Sequence, residues 1–286
     1  MLPFWISIAA LSLSQGVVVA LGRPLAAAWM TRLRGRRWAA IPSLSVIGFV
    51  FITRAAEHAS AQGLTYLALG AVPVLAALAL GWLVWAAGSR RPLWALLVVP
   101  LFALAWIDRG GLAGQAAALI LSALSCVTLG VLIAAVTPPR WLAAGILAMA
   151  VADTALVVSD LLQQPNNALN AARPAAGLPQ LQSAAFGSAV MGYGDLFVAG
   201  ALGGLLAVTV ARRLQLRVAA LTALLALGFD LMFFLVDELP ATVPVALALI
   251  ITILSRRARF AREPVAREDH PQQTPEAAQA PAAAAP

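Results

Sequence analysis

Residues 184–207 read AAFGSAVMGYGDLFVAGALGGLLA, an apolar run broken by one charged residue, Asp195. A helix of roughly 20 apolar residues crosses the hydrocarbon core of a bilayer, so this stretch reads as the body of a membrane span over 181–210. The composition of the whole chain agrees. Of its 286 residues, 62 % are hydrophobic and only 11 % charged, with a mean hydropathy of +0.88. A soluble domain has roughly 45–50 % and roughly 25 %. An ordinary soluble globule and a disordered chain are both excluded. Eight further apolar segments lie at 3–22, 38–53, 64–87, 93–107, 112–136, 141–163, 218–237 and 239–254. Together they predict an all-α membrane protein with about nine transmembrane helices.

The charges set the direction of the chain. All 19 basic residues are arginine, and the formal net charge is +7. They cluster between apolar segments instead of lining one face, so no nucleic-acid surface is expected despite a pI near 11.3. Arg23, Arg32, Arg34, Arg36 and Arg37 follow the first segment; Arg90 and Arg91 follow the third; Arg140 follows the fifth. Arg212, Arg213 and Arg217 follow the seventh, and Arg256, Arg257, Arg259, Arg262 and Arg267 lie in the tail. The alternate connections hold only Arg54, Arg109 and Arg173. Cytoplasmic loops carry the excess of Arg and Lys, so the pattern predicts an N-out, C-in topology. The first segment has no basic residue ahead of a long apolar run, and reads as a span and not as a cleaved signal peptide. The expected organisation is a five-span scaffold over 1–140, spans six to nine over 141–254, and a tail over 255–286. That tail is rich in Pro, Ala, Gln and Glu and is expected to be disordered in the cytoplasm. Abundant arginine and alanine without lysine point to a GC-rich genome, and so to a bacterial plasma membrane.

Cys126 is the single cysteine, and His58 and His270 are the two histidines. No disulfide, metal or cofactor is expected, and the chemistry falls to the acids. Four of the twelve acidic residues lie within predicted spans: Asp153, Asp160, Asp195 and Asp230. Intramembrane ionisable groups are functional candidates by default. Two carboxyls that meet can share one proton. One then takes a proton from water while the other donates to a carbonyl oxygen. Asp153 lies about twelve residues, or about 18 Å, from the inner end of span six. Asp195 lies about fourteen residues, or about 21 Å, from the outer end of span seven. The two depths match on antiparallel neighbours. Asp160 falls on the same face as Asp153 but at the outer water boundary. Asp230 is expected at mid-depth in span eight and stays an alternative acid. Gly192 and Gly194 flank Tyr193 just before Asp195. They permit either a substrate backbone or a second helix to come close, whereas Gly200 and Gly204 read as a helix contact. At the start of span nine stand Pro240, Ala241 and Thr242. Pro240 suits a helix start.

These pieces resemble the intramembrane aspartyl proteases, the signal peptide peptidase and presenilin family. That family carries Tyr-Asp in its sixth span, Gly-x-Gly-Asp in its seventh and Pro-Ala-Leu before its ninth. Ala152-Asp153 matches the first with Ala in place of Tyr, and Gly192-Tyr193-Gly194-Asp195 matches the second in full. Pro240-Ala241-Thr242 matches the third with Thr in place of Leu. The resemblance covers roughly 141–254, with the first five spans matching in number alone. It implies a presenilin-like fold, Asp153 and Asp195 as the catalytic pair, and the 240–242 element as part of the substrate site. With the N-out, C-in orientation of signal peptide peptidase, the substrates would be membrane-spanning peptides with cytoplasmic N-termini. On this reading Pro240→Ala lowers cleavage, and Thr242→Leu, which restores the family residue, is tolerated. Other protease classes fit worse. Serine chemistry needs an intramembrane histidine, zinc chemistry needs His-Glu-x-x-His, and prepilin peptidases continue Gly-x-Gly-Asp with a lysine. A proton-coupled transporter or channel relaying through Asp153, Asp195 and Asp230, or a catalytically inactive relative, remains the alternative.

Overall fold

The computed structural model of the chain describes residues 4–25, 28–55, 57–88, 92–159, 178–234 and 239–262. Helix dominates, and every apolar segment of the sequence carries one among the described residues. The helices are α1 (Phe4–Leu21), the short α2 (Ala28–Leu33), α3 (Ile41–Ala55), α4 (Glu57–Ala86), α5 (Val98–Ile107), α6 (Leu112–Val136), α7 (Pro139–Val158), α8 (Tyr193–Thr209), α9 (Arg212–Asp230) and α10 (Val243–Arg262). Single 3-10 turns at Arg36–Ala40, Pro92–Leu97 and Leu231–Phe234 join or extend them. Among the described residues, four helical stretches are long and apolar enough to cross a membrane: α1, Gly63–Ala86 of α4, α6 and α7. The apolar stretches Leu93–Ile107, α8 and Val243–Arg256 are shorter. Many large apolar side chains point outward, with Val158 82 % and Ile107 81 % exposed. In water such a surface would aggregate; against lipid it is ordinary.

The structure corrects the sequence at three places. The expected span over 181–210 is not helical throughout. Its first part is a β-hairpin of β1 (Ser183–Phe186) and β2 (Ala189–Gly192), with Ser183 opposite Gly192 and Phe186 opposite Ala189. The two-residue loop Gly187-Ser188 closes it, and Gly187 takes a φ of +62°, a value only glycine adopts freely. Asp195 therefore stands in the first turn of α8 and not fourteen residues into a helix. The expected span over 218–237 is shifted toward its arginines: α9 begins at Arg212 and ends at Asp230. The expected tail does not begin at 255, because α10 runs on to Arg262. Ser255 to Arg262 contain no proline, and arginines near a helix C-terminus complement its dipole. Pro264 follows two residues later.

The core is organised around α6 and α8. Helix α6 is buried along most of its length and packs on α4, α5, α8 and β1. Close approach with α8 depends on glycine. A Cβ on Gly200 would collide with the Cys126 carbonyl, and one on Gly130 with the backbone at Gly200. On its other side Gly203 meets the carbonyls of Val18 and Val19, so α8 is held between α6 and α1. Small residues at such contacts replace the hydrophobic drive that lipid removes. Gly200 and Gly204 thus serve the packing the sequence indicated. Helix α1 packs along α9, and its last carbonyls are satisfied from there. Gln215 Nε2 donates to the carbonyls of Val19 and Gly22, each at 2.9 Å, and Arg212 donates to that of Ala20.

Candidate active site

Helices α7, α8 and the start of α10 pack against one another. They bring together three pieces of sequence that lie far apart in the chain. Asp153 lies fourteen residues on from Pro139, where α7 begins, and Asp195 lies fourteen residues before Thr209, where α8 ends. Measured from that common end of the bundle, each stands at about 21 Å. The two distances along the helices match, and the stretch ahead of Asp195 is hairpin and not helix.

The two carboxyls are held differently. Asp153 is buried, at 8 % exposure. Its Oδ2 accepts from the Thr242 hydroxyl at 2.6 Å and from the Thr242 amide at 3.4 Å. Thr242 occupies the position from which a hydroxyl usually caps its own helix, and its carbonyl takes the first helical bond, from Ala246 N. The hydroxyl is instead given to Asp153. Asp195 is the third residue of α8 and folds back, so that its Oδ2 accepts from Gly192 N at 3.1 Å. A Cβ on Gly192 would stand 3.1 Å from that same oxygen, so the first glycine of Gly-x-Gly-Asp leaves room for the carboxyl. These bonds engage one oxygen of each carboxyl and leave Oδ1 of each outside them. Asp195 lies within electrostatic reach of both Asp153 and Asp230.

Asp230 is the last residue of α9 and accepts from the Ser12 hydroxyl of α1 at 2.7 Å. The chain continues past it as the 3-10 turn Leu231–Phe234. Asp160 lies outside the described residues. Pro240 is buried and non-helical, and its carbonyl accepts from Val243 N at 3.1 Å. The backbone ahead of α10 is therefore a turn, as a proline before a span requires. Tyr193 is a strut. The Ser125 hydroxyl donates to the Ser122 carbonyl at 2.7 Å, so in the 2.7 Å contact between Ser125 and Tyr193 the phenol is the donor. Gly194 sits between Tyr193 and Asp195 in the same first turn.

Several residues that hold this site were not singled out in the sequence. Gln15 of α1, 2 % exposed, donates from Nε2 to the Ala241 carbonyl at 3.1 Å and to Met191 Sδ at 3.1 Å. Gln115 Oε1 of α6 accepts from Gly187 N at 2.7 Å, and Ser7 Oγ of α1 accepts from Ser188 N at 3.2 Å. Together α1 and α6 pin the hairpin that delivers Asp195. The available signal was a set of polar residues, Ser7, Ser12, Gln15, Gln115, Ser122 and Ser125, inside otherwise apolar helices.

A pair of neighbouring carboxyls, one buried on a hydroxyl and one half-buried on an amide, can divide a proton between them and activate water. No family model, no curated protein and no solved structure matches the chain.

Proposed function

We propose that the chain is an intramembrane aspartyl endopeptidase that cleaves single-span or signal-peptide helices, with Asp153 and Asp195 activating water. The observation that carries this reading is the meeting of Asp153 with Thr242 beside Asp195. Three short motifs, separated by 42 residues and then by 47, come together there, as a working pair of carboxyls requires. One acid takes the water proton, and the other donates to the scissile carbonyl oxygen. The hairpin ahead of Asp195 and the turn ahead of α10 present backbone beside the acids. An extended substrate segment can pair with such backbone by strand addition, which also satisfies polar groups that lipid leaves unpaired.

The reading extends to nine crossings, N-out and C-in, in a bacterial plasma membrane. Its support is the arginine pattern together with a helix in each apolar segment. In that orientation the substrates have cytoplasmic N-termini, and the acids lie in the outer half of the bilayer. The test is incubation of the solubilised full chain with a panel of single-span peptides, the fragments being read by mass spectrometry. Wild type should cut. Asp153→Asn and Asp195→Asn should each fall by at least about a hundredfold, as expected when a proton-transfer group is removed. Equal cutting by Asp195→Asn and wild type overturns the reading.

A second reading is favoured by one observation. Asp230, anchored on Ser12, adds a third acid within reach of Asp195, as a proton relay for transport would require. Proton flux into proteoliposomes that Asp230→Asn abolishes, with no peptide cleavage by wild type, would favour it.

A further inference from the structure

We infer that Gln15 is a substrate-binding residue, its side-chain carbonyl accepting a backbone N–H from a peptide segment that enters alongside β2 and the 240–242 turn. This inference rests on the protease reading and assigns to α1 a role in recognition. The two carboxyls are joined by a chain of contacts that runs from α8 through β2, α1 and the 240–242 turn to α7. Asp195 takes the amide of Gly192, and Gly192 follows Met191 in β2. Met191 Sδ and the Ala241 carbonyl share the Nε2 group of Gln15, and Thr242, next to Ala241, holds Asp153. Gln15 is thus the residue that bridges the hairpin to the turn. Its orientation is fixed by chemistry, because the reverse would set Oε1 against the Ala241 carbonyl oxygen.

The same side chain carries an unfilled valence. Gln15 Oε1 is buried and accepts no hydrogen bond, although the residue is 2 % exposed. Buried polar atoms are almost always paired, and an acceptor left unpaired is stabilised by whatever donor reaches it. An extended peptide presents such a donor at every second residue on one edge. Packing alone does not require an amide here; methionine would fill the same volume. The polar residue is explained if its oxygen receives the substrate and its nitrogen holds the Ala241 carbonyl out of the path.

A backbone ester scan tests this. In a fluorescent single-span peptide, each amide near the cut is replaced in turn by an ester, which removes one N–H. Binding is measured by anisotropy to the Asp153→Asn/Asp195→Asn full chain in nanodiscs, and again with Gln15→Met added. One ester position should weaken binding about 3- to 10-fold, the worth of a single neutral hydrogen bond. With Gln15→Met the loss should already be present, and the ester should add nothing. Ester losses that are the same with and without Gln15→Met overturn the inference. If Gln15→Met fails to accumulate, Gln15→Asn takes its place, since its shorter amide cannot reach both sides. The measurement needs no cleavage. Failure of the protease reading would appear as intact peptide with wild type, whereas failure of the Gln15 role would appear as an ester scan indifferent to residue 15.

Discussion

Removing the Thr242 hydroxyl is the sharpest perturbation of the site. Thr242→Val keeps the shape and deletes the 2.6 Å donor to Asp153. Thr242 has no exposed surface and Asp153 only 8 %, so bulk solvent has little access to replace the lost bond. What remains is the Thr242 amide at 3.4 Å. Hydrogen bonds to charged groups are worth about 1.5–3 kcal/mol. At 1.4 kcal/mol per decade, a bond felt fully in the transition state corresponds to a fall of about 10- to 150-fold in kcat. Thr242→Ser keeps the hydroxyl and should stay within about threefold of wild type, since only a buried methyl is lost. Thr242→Leu should fall as far as Thr242→Val and should also overpack a fully buried position. This reverses the expectation from family resemblance, because the residue that departs from the family pattern is the one that holds Asp153. The assay is initial-rate cleavage of one validated peptide at matched protein levels, with thermal unfolding in detergent as the control for folding. Full turnover by Thr242→Val would refute the argument, since Asp153 would then need no side-chain donor.

Gly192→Ala should lower turnover about tenfold at unchanged yield, because its Cβ would crowd Asp195 Oδ2 at 3.1 Å and shift the carboxyl; cleavage rates check it. Gly200→Val should destabilise the protein by about 3 kcal/mol by forcing α8 off the Cys126 carbonyl, whereas Gly228→Ala, with open space around its Cβ, should be neutral; unfolding midpoints in detergent separate the two. Reporter fusions after Arg37, Arg91, Arg213 and Arg267 should report cytoplasm, and a fusion near Asn167 should report the outside. An external C-terminus would reverse the substrate polarity as well.

The helices were legible because long apolar runs leave little else for the backbone to do in lipid. Asp153 and Asp195 stood out because ionisable groups are scarce in such runs, whereas the 240–242 element was joined to them only by the family resemblance. The hairpin was not. Its strands, Ser183–Phe186 and Ala189–Gly192, carry only Phe186 and Val190 as β-favouring residues among alanines, and a continuous apolar run does not separate strand from helix. The Gly187-Ser188 pair was the local clue, a spacing that suits a two-residue hairpin loop. Gln15 and Ser12 escaped for a different reason. They lie more than two hundred residues from the partners Ala241 and Asp230 that give them meaning, and no local pattern carries that pairing. The role of Thr242 was hidden by comparison itself, since matching it to Leu treated the departure as noise.

The pinning of the hairpin has a consequence for how the molecule is made. An isolated two-stranded hairpin of four-residue strands does not hold itself together. Its restraints come from Ser7 and Gln15 on α1 and from Gln115 on α6. Both helices leave the ribosome before Asp195 is synthesised. The first half of the chain therefore acts as a mould, and the strand leading to Asp195 sets only on a surface already in the membrane. A chain opened between α6 and α7 should regain its site when the two pieces are co-expressed. The second piece alone would carry both aspartates without the means to align them.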